Sequence, residues 1–107
     1  MSDKSIFFLN RYNSRITLYN QSYYDFGLSP NESCFCVKAI IDNVEYIVGH
    51  GYKTDGLARR HAETITNFFV IQTNVYKVTL SDDSIITEKV YDGKKHLSYR
   101  LDAISRI

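Results

Sequence analysis

The sequence contains no tryptophan, one proline and only five glycines. So few Pro and Gly residues leave little room for a flexible linker and argue against a fibrous or low-complexity chain. The 44% hydrophobic and 23% charged residues are instead typical of a soluble globular protein, and 107 residues fit one domain. Because the formal net charge is only +1, no global field draws the protein toward nucleic acid or a membrane.

Long apolar runs and clustered cysteines are also missing. Residues 68–71 are far too short an apolar run to span a membrane, and residues 1–9 do not resemble a signal peptide because an acid stands near their start. Cys34 and Cys36 lie two residues apart, a spacing that suits neither a mutual disulfide nor a zinc site. We therefore expect an intracellular protein, cytoplasmic or nuclear, with reduced thiols and no contact with membranes.

The first part of the chain contains one segment with helical spacing of apolar residues, followed by segments typical of strands. Apolar residues at helical spacing predict a helix over residues 5–16, and a short aromatic run predicts a strand over residues 21–26. Alternating residues predict strands over 34–41 and 44–48. Asp42-Asn43 separates the last two strands, and a two-residue turn of this kind indicates a β-hairpin.

A second helix is predicted after this hairpin. Thr54 is a good N-cap, and the following acid, Asp55, suits the positive end of a helix. Apolar residues then recur at intervals of four, three and four, which predicts one buried face and an end near Thr73. That predicted face comprises Ala58, Ala62, Ile65 and Phe69.

Residues 74–107 have a different pattern and are predicted to form a β-rich extension. Asp92-Gly93 resembles a hairpin turn between runs at 85–91 and 96–101. The apolar positions that alternate in this part are Tyr76, Val78, Leu80, Leu97, Tyr99 and Leu101. Such a face either packs on the same domain or meets another chain, by strand addition at a sheet edge or through an exposed patch.

The order of elements and several residues resemble the double-stranded-RNA-binding domain family. Leu9-Asn10-Arg11-Tyr12 is similar to the family's first-helix motif, and Gly49-x-Gly51 is similar to the exit from its third strand. The run from Thr54 to Ala62 resembles the signature that opens its second helix. The resemblance covers residues 5–73 and implies an α+β fold: an α-β-β-β-α unit over residues 1–73, with a three-stranded antiparallel sheet, two helices on one face and the extension appended.

The resemblance also implies an RNA-binding surface. Lys53, Arg59 and Arg60 would contact phosphates, and Arg11 and Ser14 would lie near the minor groove. Where the family places two lysines, however, this sequence has Asp55-Gly56, and each lost cation weakens an affinity that depends on phosphate contacts. The whole expected set is Arg11, Ser14, Arg15, Asn31, Lys53, Thr54, Arg59 and Arg60.

Two functions therefore follow from the sequence. One is weak, sequence-independent binding of double-stranded or structured RNA. The other is a protein-interaction or dimerisation module within an RNA-processing complex, because residues 1–73 carry seven Lys or Arg and seven Asp or Glu and so lack a basic stripe. Gly51-Tyr52-Lys53-Thr54 lacks the spacing of a phosphate-binding loop. No set of residues indicates catalysis, a cofactor or a metal, and we expect a non-enzyme.

Overall fold

The computed structural model describes residues 26–106, which form four strands and two helices. The predicted first helix, and the predicted first strand apart from Phe26, lie outside these residues. The elements in chain order are β1 (Ser33–Ile41), β2 (Val44–Tyr52), α1 (Asp55–Phe69), β3 (Gln72–Ser81), β4 (Ser84–Asp92) and α2 (Lys94–Ser105). The predicted α+β class is confirmed. The predicted α-β-β-β-α order is not matched, because the order observed over residues 26–106 is β-β-α-β-β-α.

All four strands belong to one antiparallel sheet in the order β2-β1-β3-β4. Both hairpins are closed by two-residue turns, Asp42-Asn43 and Asp82-Asp83, whose four residues all have positive φ. Asp and Asn tolerate this left-handed conformation, and such turns match the twist of the paired strands. The β1–β2 hairpin predicted from the sequence is confirmed, although β2 extends beyond Val48 and includes Gly49 and Gly51.

Helix α1 covers one face of the sheet. Thr54 caps it as predicted, because its hydroxyl oxygen accepts a hydrogen bond from the Leu57 N–H at 3.3 Å. The predicted apolar face is buried as well and meets the inner residues of β1, β2 and β3. The helix ends at Phe69 rather than near Thr73, because Val70 adopts the left-handed conformation. The buried residues of this core are Val37, Ala39, Ile41, Tyr46, Ala58, Ala62, Ile65, Phe69 and Val75.

The two cysteines lie on the other face of β1. Cys34 and Cys36 are buried beside Val78, with Phe26, Leu28 and Tyr76 packed around them. Both are free cysteines, and neither forms a disulfide within residues 26–106. Burial raises the pKa of the Cys36 thiol to about 11, so this thiol stays protonated and unreactive.

Helix α2 replaces the last predicted strand. The interpretation of residues 96–101 as a strand, and of Asp92-Gly93 as its hairpin turn, is wrong: Asp92 ends β4, and Gly93 is the N-cap of a helix that begins at Lys94. Buried Asn74 in β3 accepts a hydrogen bond from the Gly93 N–H at 3.1 Å, and Asp92 accepts one from the Lys94 N–H at 2.9 Å. These two side chains satisfy amides at the start of the helix and turn the chain away from the sheet.

Helix α2 packs against the end of α1 through polar contacts. His96 Nε2 lies 2.8 Å from the side-chain oxygen of Asn67, and Arg100 Nε donates to the Asn67 carbonyl at 3.1 Å. Within the part of the chain that the structure describes, α2 has no fully buried residue. It is therefore a surface helix, attached at its first turn and along one side.

Candidate functional site

The most distinctive surface is the outer side of strand β4. Among residues 26–106, β4 pairs only with β3, so it forms one edge of the sheet. Every residue of β4 is exposed except Tyr91, which is half-buried. Edge strands offer unpaired backbone groups to other chains, and proteins usually protect them. We call the segment from Ser84 to Lys89 the β4 edge.

The turn geometry determines which backbone groups of the β4 edge point outward. In a hairpin with a two-residue turn, the flanking residues Ser81 and Ser84 exchange hydrogen bonds, and bonded pairs then alternate with non-bonded ones. Ile86 and Glu88 therefore bond to β3. The N–H and C=O groups of Ile85, Thr87 and Lys89 point away from the sheet. No hydrogen bond involves these outward groups within the described residues.

The side chains of the β4 edge are unusually apolar for an exposed strand. Ile85 is 44% exposed and Ile86 is 55% exposed, and Val90 just beyond them is 37% exposed. The run from Ile85 to Thr87 consists of β-branched residues, which favour extended backbone. Charge enters only at Glu88 and Lys89, one of each sign. This composition fits the addition of another strand better than it fits a solvated edge.

The far end of β4 is irregular and anchored. The pairing of β3 with β4 shifts between Val75 and Tyr76, and this shift leaves Val90 as an extra residue in β4. Asp92 forms an ion pair with Lys89 at 3.5 Å, and the hydrogen bond from the Lys94 N–H lowers the pKa of the Asp92 carboxyl. The regular part of the strand therefore ends at Lys89.

A second feature is a shallow groove between α1, the end of β4 and α2, with a volume of about 360 Å³. The Arg59 guanidinium lies over the Tyr91 ring, 4.9 Å from its centroid, and Lys95 Nζ lies 5.9 Å from the centroid of Tyr99. Burial, followed by the nearby Glu63 carboxylate, raises the pKa of Tyr91. The residues that line this groove are Arg59, Glu63, Tyr91, Asp92, Lys95, His96 and Tyr99. Its two basic and two acidic residues make it electrostatically mixed.

The sheet face away from α1 also carries a polar contact. The Tyr76 hydroxyl donates to the Glu45 carboxylate at 2.6 Å, and Lys38 Nζ lies 4.7 Å from the centre of the tyrosine ring. Burial, together with this hydrogen bond to Glu45, raises the pKa of Tyr76. The tyrosine therefore stays protonated and links β3 to β2 across β1.

The described members of the expected RNA-binding set do not form a cationic cluster. Arg59 packs over Tyr91 toward α2, whereas Lys53 lines a groove with Glu32 at the other end of the sheet. Asn31 lies in a turn, where its N–H donates to the Leu80 carbonyl at 2.7 Å. Thr54 is occupied as the cap of α1, and Arg60 is exposed. Arg11, Ser14 and Arg15 lie outside the described residues.

The six residues of the expected interaction surface lie on two different elements. Tyr76, Val78 and Leu80 belong to β3, where Val78 is fully buried. Leu97, Tyr99 and Leu101 belong to α2 and do not alternate on a strand, which corrects the sequence prediction. Tyr99 and Leu101 are exposed and Leu97 is half-buried.

Sequence reasoning missed the β4 edge as a candidate site. Its signal was the uncharged β-branched run that follows the Asp82-Asp83 turn, but the run alone does not say whether a strand is central or at an edge. In the described part of the chain, no helix is long and apolar enough to cross a membrane. Nor do three His, Cys, Asp or Glu side chains there approach one another closely enough to hold a metal ion.

Comparison with protein-family models, curated proteins and solved structures found no match to this chain. The resemblance to double-stranded-RNA-binding domains therefore stays a prediction from sequence. The geometry of the described residues carries the functional argument.

Proposed function

We propose that this chain is a protein-interaction module that binds a partner by adding a strand to the β4 edge. The observation that carries the proposal is the row of outward backbone groups at Ile85, Thr87 and Lys89, flanked by exposed isoleucines. In strand addition, main-chain hydrogen bonds provide affinity and alternate side chains provide specificity. The β4 edge supplies both.

Within residues 26–106, β2 forms the other edge of the sheet, and its irregularity supports the choice of β4. Strand β2 pairs with β1 through two register shifts, and it contains Gly49 and Gly51, the latter with positive φ. Bulges and glycines twist an edge and interrupt regular pairing. The β4 edge, by contrast, keeps an unbroken register with β3 from Ser84 to Lys89. An incoming strand therefore finds regular geometry at β4.

RNA binding is the competing prediction, and the described residues favour it less. Such binding depends on cations placed to neutralise successive phosphates. Here Arg59 stacks on Tyr91, Lys53 shares its groove with Glu32, and Asp55 stands at the start of α1. Residues 26–106 carry ten Lys or Arg and ten Asp or Glu, so opposite charges balance.

The test uses a displayed library of extended peptides of about nine residues, the length of β4, selected on the immobilised chain. We expect enriched peptides that alternate apolar and polar residues and that lose binding to a Thr87→Pro variant. Proline removes one outward N–H and leaves the bonds to β3 intact, as edge strands tolerate. The Arg59→Glu, Arg60→Glu variant is the matched control and should bind the same peptides.

The same two variants test the RNA prediction. A duplex of about 20 base pairs exceeds the roughly 16 base pairs that a double-stranded-RNA-binding domain spans. Binding that is steep in salt, lost in the arginine variant and kept in Thr87→Pro would support RNA recognition instead. Enriched peptides that bind Thr87→Pro as well as the original chain would refute strand addition at β4.

A further inference from the structure

The β4 edge is self-complementary when it is turned through a two-fold axis perpendicular to the sheet. Residues directly opposite each other in an antiparallel pair place their side chains on the same face. A two-fold axis perpendicular to the sheet keeps every side chain on its own face of the sheet. The axis must therefore lie midway between the two copies of one residue, which are paired with each other. The possible centres on the β4 edge are therefore single residues between Ile85 and Lys89.

Charge and hydrogen bonding reduce these centres to one. A centre at Glu88 or Lys89 would place two like charges directly opposite each other, which is unfavourable. A centre at Ile86 would place the outward groups of Lys89 opposite the other copy's turn residue Asp83, and a centre at Ile85 would place them past that turn. Only a centre at Thr87 pairs all three outward residues, with Ile85 opposite the second copy's Lys89.

We propose that the occupant of the β4 edge is a second copy of this chain, paired antiparallel about Thr87. This inference rests on the proposed function and names its partner. Each outward pair exchanges two hydrogen bonds, so the three pairs form about six across the dimer axis. The two four-stranded sheets then become one continuous sheet.

The ends of this pairing carry charges of both signs. In a pairing centred on Thr87, a residue that precedes Thr87 in one copy lies opposite the residue that follows Thr87 by the same number in the other. The acidic turn Asp82-Asp83 of one copy therefore lies near the end of β4 in the other. There Lys94 and Lys95 begin α2, while Asp92 is already occupied by Lys89 and the Lys94 N–H. In this pairing, the apolar stem of Lys89 in one copy covers Ile85 of the other, as long side chains do at exposed apolar surface.

Sedimentation equilibrium of the unmodified chain tests the dimer over about 1 to 500 µM, the range in which weak dimers dissociate. We expect the average mass to rise toward twice that of the chain. In the Thr87→Pro variant it should remain that of the monomer. A monomeric mass for the unmodified chain throughout this range overturns the inference.

A cysteine pair tests the register independently of the proline variant. In Thr87→Cys the two Cα atoms lie about 5.5 Å apart, inside the range of about 4.4–6.8 Å that a disulfide spans. Ile85→Cys is the matched control, because its two copies lie about 13 Å apart along the strand. The native thiols, Cys34 and Cys36, are buried and serve as the baseline.

We expect Thr87→Cys to form the covalent dimer at least tenfold faster than Ile85→Cys under mild oxidation. Equal rates, or a faster Ile85→Cys, overturn the Thr87-centred pairing. Failure of both dimer tests while selected peptides still bind the β4 edge would refute the second copy alone. Failure of the peptide test as well would refute the proposed function.

Discussion

Replacing Gly93 with alanine should destabilise the protein strongly. Gly93 is buried where α2 leaves the sheet, and its φ of −84° is one that any residue adopts, so only space is at issue. An added Cβ would lie 3.1 Å from the Thr73 carbonyl carbon and closer still to its oxygen. Thr73 cannot retreat easily, because its hydroxyl donates to the Ala62 carbonyl at 2.8 Å and contacts Thr66 at 3.0 Å.

The expected loss is the sum of two effects. Overpacking of a tight site costs about 1–3 kcal/mol, and this overlap with backbone atoms belongs at the upper end of that range. Moving Gly93 also weakens its N–H bond to Asn74, and an unsatisfied buried amide costs about 1–3 kcal/mol more. We therefore expect Gly93→Ala to lower the free energy of unfolding by about 3–6 kcal/mol, which corresponds to a fall in Tm of at least roughly 12 °C.

Urea unfolding followed by circular dichroism measures this loss, and Gly56→Ala is the matched control. Gly56 lies in the first turn of α1, where an added Cβ meets nothing within 4 Å. Alanine there should raise the free energy of unfolding by roughly 0.5–1 kcal/mol, because it favours the helix. Replacing glycine with alanine should thus lower the free energy of unfolding at Gly93 and raise it at Gly56. A Gly93→Ala variant within about 0.5 kcal/mol of the original chain, the range of a neutral surface change, would refute the packing of α2 onto Thr73.

Three further predictions concern α1 and the buried groups. Thr54→Ala should lower the free energy of unfolding by about 1 kcal/mol in urea melts, while Thr54→Ser, which keeps the capping oxygen, should not; equal losses would exclude the cap. Burial lowers the pKa of His61, which contacts the Tyr52 hydroxyl, below its usual value of 6.5. Below about pH 6.5 the unfolded state therefore binds more protons than the folded state, so the free energy of unfolding should decrease as the pH falls through that value. His61→Gln should remove this decrease. An unchanged dependence of the free energy of unfolding on pH in the variant would contradict the prediction. Burial raises the pKa of Cys36 to about 11, so a disulfide reagent at about pH 8 should label this thiol only when urea unfolds the protein. Rapid labelling of Cys36 in the folded protein would contradict this prediction.

The elements that the sequence predicts well have local signals. Helix α1 combines a capping residue, Thr54, with an apolar stripe that ends at Phe69, and both lie within sixteen consecutive residues. The β1–β2 hairpin likewise combines alternation with Asp42-Asn43. Side chains four or fewer residues apart determine these features, so no knowledge of the rest of the fold is needed.

Helix α2 depends on contacts that are distant in sequence. Leu97, Tyr99 and Leu101 alternate like a strand, yet Leu97, Leu101 and Ile104 also lie at helical spacing. At the start of this helix, the Gly93 N–H donates to Asn74, nineteen residues earlier in the chain. A period-two pattern in a short segment cannot reveal such a contact.

The β4 edge depends both on local signals and on contacts that are distant in sequence. Its strand and the preceding turn residues are visible in the sequence, but its place at the edge depends on β3 pairing with β1 rather than with another strand. Strand order is a property of the whole sheet. The residues of the candidate site could therefore be predicted as a strand, although their exposure could not.

The difference between the two edges of the sheet limits the size of the assembly. An apolar edge strand invites open-ended addition of chains, which leads to aggregation unless something stops it. Here Val90 and the anchored Asp92 end the regular edge after Lys89, and β2 at the far side is interrupted by register shifts and glycines. Within residues 26–106, a two-fold pairing about Thr87 then uses the one regular edge of each copy, and the irregular strand β2 does not continue the pattern. The assembly should therefore stop at two copies, because a symmetric contact closes on itself.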